Sequence, residues 1–216
     1  SCLLLPNFSD IIAIPPFMGW GTSASATSAS YANGATYSAN AGITLYAIWR
    51  KTVTVSYNAN GGSGAPAAQT GYMYNNASGV SITLSNTRPT KVGYNFRIWG
   101  TTTTGGTEYS PGTARSFSNS ATLYALGSLI NYNLSYDYDG GTVATDNPTT
   151  YNTETSTFTL VEPTKDYYRF LGWTGTNGTT PQKNLSITTG SIGDRSYTAN
   201  WERTYVAPTV VINECK

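Results

Sequence analysis

The sequence predicts a mainly β protein in which tandem small β-grasp-like repeat modules follow one another in an elongated array. Three observations point to this class: apolar and polar residues alternate, strand and turn formers dominate the composition, and several phrases recur along the chain. Each module is predicted to be a β-rich α+β unit with at most one short helix. The stretch ASGVSIT, residues 77–83, is the candidate for that helical turn.

The alternation has the period of two that is typical of half-buried strands. The stretch TVTVSYN places Val53, Val55 and Tyr57 on one face, with hydroxyl side chains on the other. The stretch STFTLVEP places Phe158 and Leu160 together, with threonines opposite. Gly-Gly pairs and Pro-Thr-Lys phrases between such runs supply turns.

The composition limits the function. Apolar residues make up 39% of the 216 residues and aromatics 13%, which is enough for a core, whereas only 11% are charged. A formal net charge of +1 gives no electrostatic reason to bind nucleic acid or an anionic membrane, and no apolar run is long enough to span a bilayer. The chain contains no histidine, which removes His-assisted nucleophiles, His-ligated zinc and imidazole acid–base chemistry.

Four landmarks recur in the same order and identify a repeat. An aromatic phrase ending in Trp (FMGW, GYNFRIW, YYRFLGW) precedes a closing phrase (ITLYAIW, ATLYALG, RSYTANW), which ends 29, 28 and 28 residues later. Upstream, VSYNANGG matches LSYDYDGG, and RPTKVGY matches EPTKDYY. We predict that the landmark aromatics form the module cores: Trp20, Trp49, Trp99, Trp173, Trp201, Tyr57 and Tyr136.

The repeat predicts the domain organisation. Residues 1–50 form an incomplete N-terminal module, 51–127 and 128–203 form two full modules, and 204–216 form a tail. Below they are called modules one, two and three. Module one lacks the first strand and the Gly-Gly turn. The stretch ITLYAIWRKTVTVSYNANGG is then a seam, in which residues 50–52 form a short linker that we expect to give a stiff rod.

At these phrases the chain resembles the Listeria–Bacteroides repeat family, which includes the B-repeats of internalins. Module three fits the pattern best; module two has Ile98 in place of the Gly before Trp99, and Gly127 in place of the closing Trp. The resemblance implies β-grasp-like modules used in series on secreted or surface-anchored bacterial proteins. It implies a role as a stalk, spacer or adhesive element rather than enzymatic activity. The family has no shared catalytic residues that could be assigned to this chain.

Two sequence features suggest binding sites as alternatives to purely structural roles. The chain has more tyrosines than the landmarks use, so residues such as Tyr72 and Tyr74 are candidates for stacking against sugars. The phrase DYDGG has two carboxylates at alternate positions, as in a calcium loop, but the later oxygen ligands are missing and a simple turn is favoured. We expect no metal, no cofactor and no catalytic residues.

The two ends suggest self-assembly. Cys2 and Cys215 are disulfide candidates, with three interpretations left open: a bridge between chains, a bridge within one chain, or unrelated ends of a fragment. The tail is a candidate donor strand that completes module one of the next subunit. The donor-strand candidates are Tyr205, Val206, Val210, Val211 and Ile212.

The sequence therefore predicts a non-enzymatic protein located outside the cell, on the bacterial surface. Its expected role is that of a structural or filament subunit, with itself as the main partner in a head-to-tail homopolymer. The alternative is an adhesin repeat region that binds a surface glycan or a host protein.

Overall fold

The computed structural model describes residues 3–4, 15–39 and 41–204, and all regular elements in those ranges are β-strands. The mainly β prediction is confirmed. The strands are β1 (Leu3–Leu4), β2 (Phe17–Gly21), β3 (Thr36–Tyr37), β4 (Tyr46–Asn58), β5 (Gln69–Tyr74), β6 (Val80–Thr83), β7 (Tyr94–Thr102), β8 (Gly105–Tyr109), β9 (Ala114–Phe117), β10 (Ala121–Leu129), β11 (Tyr132–Asp137), β12 (Thr150–Tyr151), β13 (Phe158–Thr159), β14 (Tyr168–Gly175), β15 (Gly178–Gln182), β16 (Ser186–Ile187) and β17 (Arg195–Arg203).

The helical turn predicted for residues 77–83 is wrong. That stretch enters β6, which pairs antiparallel with β9. The reason is that its branched residues alternate: Ile82 is buried and its neighbours Ser81 and Thr83 are exposed. Branched side chains fit a pleated strand better than a helix. The β-grasp-like detail of the modules stays a prediction.

The chain divides into two compact units, each described here by itself. The first unit comprises Ser1–Lys91 and Phe96–Gly127, and the second comprises Val92–Asn95 and Ser128–Lys216. The main sheet of the first unit has the order β2-β4-β10-β7-β8, with β5 also paired to β4. The main sheet of the second unit has the order β12-β11-β17-β14-β15.

The two units repeat one arrangement of strands. The strands from the second half of β4 to β10 correspond one by one, in chain order, to the strands from β11 to β17. In both, the first strand runs parallel to the last: Val55 lies opposite Ala121, and Leu134 lies opposite Arg195. Each unit also has a small sheet, β6 with β9 and β13 with β16. The recurring phrases therefore correspond to recurring strands.

Each unit has its own hydrophobic core, built from the inward faces of these strands. The first core contains Val53, Val55, Met73, Ile82, Leu84, Trp99, Phe117 and Leu123. The second contains Leu134, Tyr151, Leu160, Phe170, Trp173, Ile187, Tyr197 and Ala199. Burial of such large side chains is the main favourable contribution to folding.

The seam is a continuous strand. Strand β4 runs without interruption through residues 50–52, which the sequence predicts as a linker. Its first half pairs with β2, and its second half pairs with β5 in a ladder that includes Arg50 opposite Tyr74 and Thr52 opposite Tyr72. Modules one and two thus share one strand. The boundary assigned at residue 50 stays a prediction, and it falls inside β4.

A glycine bulge precedes two of the landmark tryptophans. Strand β14 shifts register between Phe170 and Gly172, where Gly172 has a φ of 138°. A Cβ added to Gly172 would lie 2.5 Å from the backbone nitrogen of Gln182. Strand β2 shifts in the same way at Gly19, whose φ is 122°. Ile98 occupies this position in module two, and its φ is not positive.

We predict that Gly172→Ala lowers the free energy of unfolding by about 2–4 kcal/mol, because it adds both backbone strain and a clash. The matched control is Gly178→Ala, where φ is 112° but no atom lies within 4 Å of the added Cβ. That variant should lose only about 1–2 kcal/mol. Urea denaturation measures both, and equal losses would contradict the role of the close approach.

Candidate functional site

The landmark tryptophans of the two full modules lie at the centre of the cores. Trp99 and Trp173 are both 0% exposed. Their indole N–H groups are buried and have no hydrogen-bond acceptor among the described residues. Leaving a buried donor unpaired costs about 1–3 kcal/mol, so the apolar burial of each ring has to outweigh that cost. These side chains are positioned to stabilise the fold and are inaccessible to a ligand.

A tyrosine from the first strand packs against each buried tryptophan. The ring centroids of Tyr57 and Trp99 are 4.7 Å apart, and those of Tyr136 and Trp173 are 6.0 Å apart. The hydroxyl of Tyr57 bonds to the Gln69 side chain and accepts from the Ser85 N–H at 3.0 Å.

Both first-strand tyrosines have a perturbed pKa. Burial raises the pKa of Tyr57 above its ordinary value, and the hydrogen bond from the Ser85 backbone opposes the shift. Burial also raises the pKa of Tyr136, with a further rise from Tyr138 and Tyr197. The neutral phenol is therefore favoured in the folded state. These hydroxyls stabilise their surroundings as hydrogen-bonding groups and not as anions.

The remaining landmark tryptophans are half-buried. Phe17 packs against both Trp20 and Trp49, with ring centroids 5.4 and 5.1 Å apart. In the second unit, Trp201 packs against Phe170 at 5.4 Å and donates its indole N–H to the Tyr138 carbonyl at 3.2 Å. Such pairs add to the stability gained from area burial alone.

The candidate calcium loop forms a turn closed by a lysine. The Asp137 carboxylate accepts the backbone N–H of Asp139 at 2.9 Å, and Asn58 accepts that of Asn60 at 2.8 Å in the first unit. The Lys165 ammonium donates to the Asp139 carbonyl at 2.6 Å. Among the described residues no group of three or more His, Cys, Asp or Glu side chains could hold a metal ion. This arrangement is a side-chain-capped turn.

Asn75 connects the end of β5 to module one. Its amide oxygen accepts the Trp49 backbone N–H at 3.0 Å, and its own N–H donates to the Trp49 carbonyl at 2.9 Å. Its amide nitrogen donates to the carbonyls of Ala24 and Ala26 at 3.2 and 3.4 Å. No sequence pattern indicates this role, because Asn75 lies outside the landmark phrases.

Two surface features carry exposed aromatic rings. In the first unit, Tyr72 is 45% exposed and the Arg50 guanidinium lies 4.5 Å from its ring centroid. In the second, Tyr167 is 71% exposed and has a φ of 64°, at the position where the matching phrase of module two has Gly93. Its neighbour Tyr168 is partly exposed beneath the Lys165 ammonium, 4.6 Å from the ring centroid.

The acidic side chains are used in surface contacts. Within residues 15–39 and 41–204 the ion pairs join Arg97 to Glu108, Lys165 to Asp139 and Arg169 to Glu202. Exposed pairs of this kind contribute little to stability. No helix of the described residues is long and apolar enough to cross a membrane.

Several predicted residues lie outside the described part of the chain. They are Cys2, Cys215, Tyr205, Val206, Val210, Val211 and Ile212. The disulfide and the donor strand therefore remain predictions.

The duplicated strand order, the separate aromatic cores and the capped Gly-Gly turns define a tandem β-repeat protein. The family model of the Listeria–Bacteroides repeat domain matches residues 54–126 and 132–195. The chain belongs to this repeat family, as its motifs predict.

A curated relative carries such repeats. Internalin H of Listeria monocytogenes is 30% identical over 151 residues, which are 67% of this chain and 26% of the relative. The chain thus spans about a quarter of that protein's length. No solved structure matches. Proteins of this family are typically non-enzymatic surface proteins, which suggests a cell-surface or extracellular location.

We predict that the protein loses stability above about pH 10. Because the folded pKa of Tyr57 and Tyr136 is raised, the folded state there binds more protons than the unfolded state, and stability falls as pH rises. The double variant Tyr57→Phe/Tyr136→Phe should show a shallower alkaline loss. Urea midpoints measured between pH 7 and pH 11 test this, and an equally steep loss in the double variant would contradict it.

Proposed function

We propose that the chain is a non-enzymatic structural repeat segment of a bacterial surface protein, displayed outside the cell. We further propose that it associates head to tail with copies of itself by strand addition. The observation that carries the structural role is the repetition of one strand arrangement around one buried tryptophan in each unit. Because each repeat buries its own core, further copies of the same fold can follow one another along the chain.

The strand shared across the seam supports the structural role. Because β4 runs unbroken from its pairs with β2 to its pairs with β5, residues 50–52 are held in a hydrogen-bonded strand and not in a free linker. Asn75 adds side-chain bonds across the same place. Such a joint suits a segment that holds its modules in a fixed order.

The chemistry of the described surface supports a non-enzymatic role. The two fully buried tryptophans are inaccessible, and the carboxylates of the described ion pairs contact lysine or arginine at the surface. The carboxylates of these ion pairs do not resemble the two facing acids of a glycoside-hydrolase cleft.

The second candidate is an adhesin repeat that binds a glycan, and one observation favours it. Tyr167 keeps a φ of 64°, which is costly for a bulky residue, while 71% of it is exposed. Strain kept at an exposed position suggests a function there. Together with Tyr168, its ring offers an amphipathic face on which a sugar ring can stack. A host protein is the alternative ligand for the same surface.

The structural proposal predicts that the protein is accessible on intact cells and forms larger species as its concentration rises. Protease shaving of intact bacteria, with a cytosolic marker as control, tests display. Sedimentation velocity over a wide concentration range tests association. A chain protected until the cells are lysed contradicts display, and a monomer at every concentration contradicts self-association.

The adhesin candidate predicts that Tyr167→Gly abolishes binding on a glycan array while raising the free energy of unfolding by about 1 kcal/mol, because glycine adopts a positive φ without strain. Tyr72→Ala tests the sugar-stacking candidate of the first unit in the same assay, and if Tyr167 forms the site this variant should keep binding. Binding that survives in Tyr167→Gly, or no binding by the unmodified chain, would eliminate this site.

A further inference from the structure

Charge is divided unequally between the two units, although the whole chain has a formal net charge of only +1. The first unit holds six Lys or Arg and two Asp or Glu, whereas the second holds six Lys or Arg and nine Asp or Glu. The charged residues of the first unit are Arg50, Lys51, Arg88, Lys91, Arg97, Arg115, Asp10 and Glu108. The first unit therefore favours an anionic partner, which the net charge of the whole chain conceals.

The acid that the structure describes in the first unit is already paired. Glu108 forms an ion pair with Arg97. The side chains of Arg50 and Lys51 have no carboxylate partner among the described residues, and Lys51 donates instead to the Ser118 carbonyl at 2.8 Å. Both positive charges are therefore left without an acid to neutralise them.

Arg50 lies on the outer face of the main sheet. In β4, Val53 and Val55 are buried in the core. Because side chains alternate along a strand, Arg50, Thr52 and Thr54 point to the opposite face. This face of β4 thus carries one cation beside a row of hydroxyl groups.

Strand β5 brings two tyrosines to the same face. Tyr74 lies opposite Arg50, and Tyr72 lies opposite Thr52. The Arg50 guanidinium lies over the Tyr72 ring, 4.5 Å from its centroid, and Tyr72 is 45% exposed. The Nε–H of Arg50 has no acceptor among the described residues. A guanidinium held over a ring keeps its terminal N–H groups, which lie in its own plane, available to a planar anion.

The repeat indicates that the fold does not require these side chains. Counted from the matching first strands VSYN and LSYD, the second unit has Leu129 in the place of Arg50. The ladders of β5 and β12 put Asn152 in the place of Tyr72. The second unit nevertheless forms the same order of strands. Side chains that a shared fold can omit are expected where a protein has a function.

We propose that the outer face formed by Arg50, Thr52, Tyr72 and Tyr74 binds an acidic polysaccharide whose sugar rings carry carboxylates. The carboxylate accepts hydrogen bonds from the Arg50 guanidinium. The apolar side of the sugar ring packs against the exposed part of Tyr72. In a uronic acid the carboxylate is attached directly to the ring, so one sugar unit reaches both groups. The inference rests neither on head-to-tail association nor on the Tyr167 surface.

The hydroxyl groups of this face favour a sugar over an acidic peptide. Thr52, Thr54, Tyr72 and Tyr74 each present a group that can both donate and accept a hydrogen bond. The hydroxyls of a sugar also donate and accept, and they surround the ring on which the carboxylate stands. The side chain of an acidic peptide offers its carboxylate alone.

Calorimetric titration of the full chain with oligomers of polygalacturonate tests the site. Arg50→Gln should weaken binding by at least about tenfold, because the charge-assisted hydrogen bonds are lost. The matched control is Arg115→Gln, which removes the same charge from an exposed arginine of β9 that lies 5.8 Å from the Tyr109 ring centroid. It should weaken binding less than about threefold, since a distant charge is screened. Equal weakening in both variants overturns the proposal.

Two further variants test the geometry of the site. Arg50→Lys keeps the charge but loses the planar fork, so it should still weaken binding by at least about threefold. Tyr72→Ala removes the ring under the guanidinium and should weaken binding by about tenfold. Tyr167→Gly, in the second unit, should bind as the unmodified chain does. Urea denaturation identifies the folded variants, and full binding by folded Tyr72→Ala overturns the proposal.

The choice of polymer separates this inference from the other proposals. Polygalacturonate should bind more tightly than dextran sulfate or polyglutamate. Tighter binding of dextran sulfate overturns the preference for a carboxylate, and equal binding of polyglutamate overturns the preference for a sugar. Failure to bind polygalacturonate overturns the site, whereas surface display and self-association are measured separately and are not affected by that result.

Discussion

The packing of one tryptophan beneath a parallel pair of strands is the constraint on which the rest of the structure depends. In each unit the first strand supplies a tyrosine and the last strand closes beside it, so the tryptophan between them is completely buried. This requirement explains why the phrases recur with nearly constant spacing, since the last strand must return to the same tryptophan. The glycine bulge at Gly172 serves a different contact, because it lets β14 approach the backbone of Gln182 in β15 closely.

Module one contains the same last strand and the same kind of bulge, and its Trp20 is half-buried. What it keeps is the connection to module two. Strand β4 serves as the last strand of one module and the first strand of the next, so one strand takes part in two repeats.

Much of this architecture could be predicted from local patterns. The period of two identifies the strands, and the recurring Trp and Tyr positions identify the cores because a repeated fold needs the same large side chains at the same places. The predicted helical turn is wrong because the branched residues at 80–83 pair with a strand 31 to 37 residues later, which local propensity does not encode. The continuity of β4 and the contacts of Asn75 depend on long-range pairing in the same way. The strain at Tyr167 could not be predicted from residue types alone, because it arises from a positive φ. The tyrosine in the place of Gly93 was nevertheless a sequence signal for it.

The parallel ladder between the first and last strands has a mechanical consequence. In module three these strands, β11 and β17, lie side by side and point the same way, so the chain enters and leaves the repeat at opposite ends of one ladder. Tension along the chain therefore pulls the two strands past each other and loads all their hydrogen bonds together. An antiparallel hairpin pulled from its open end breaks its bonds one after another. A repeat closed by a parallel ladder is consequently suited to bearing a load applied along the chain.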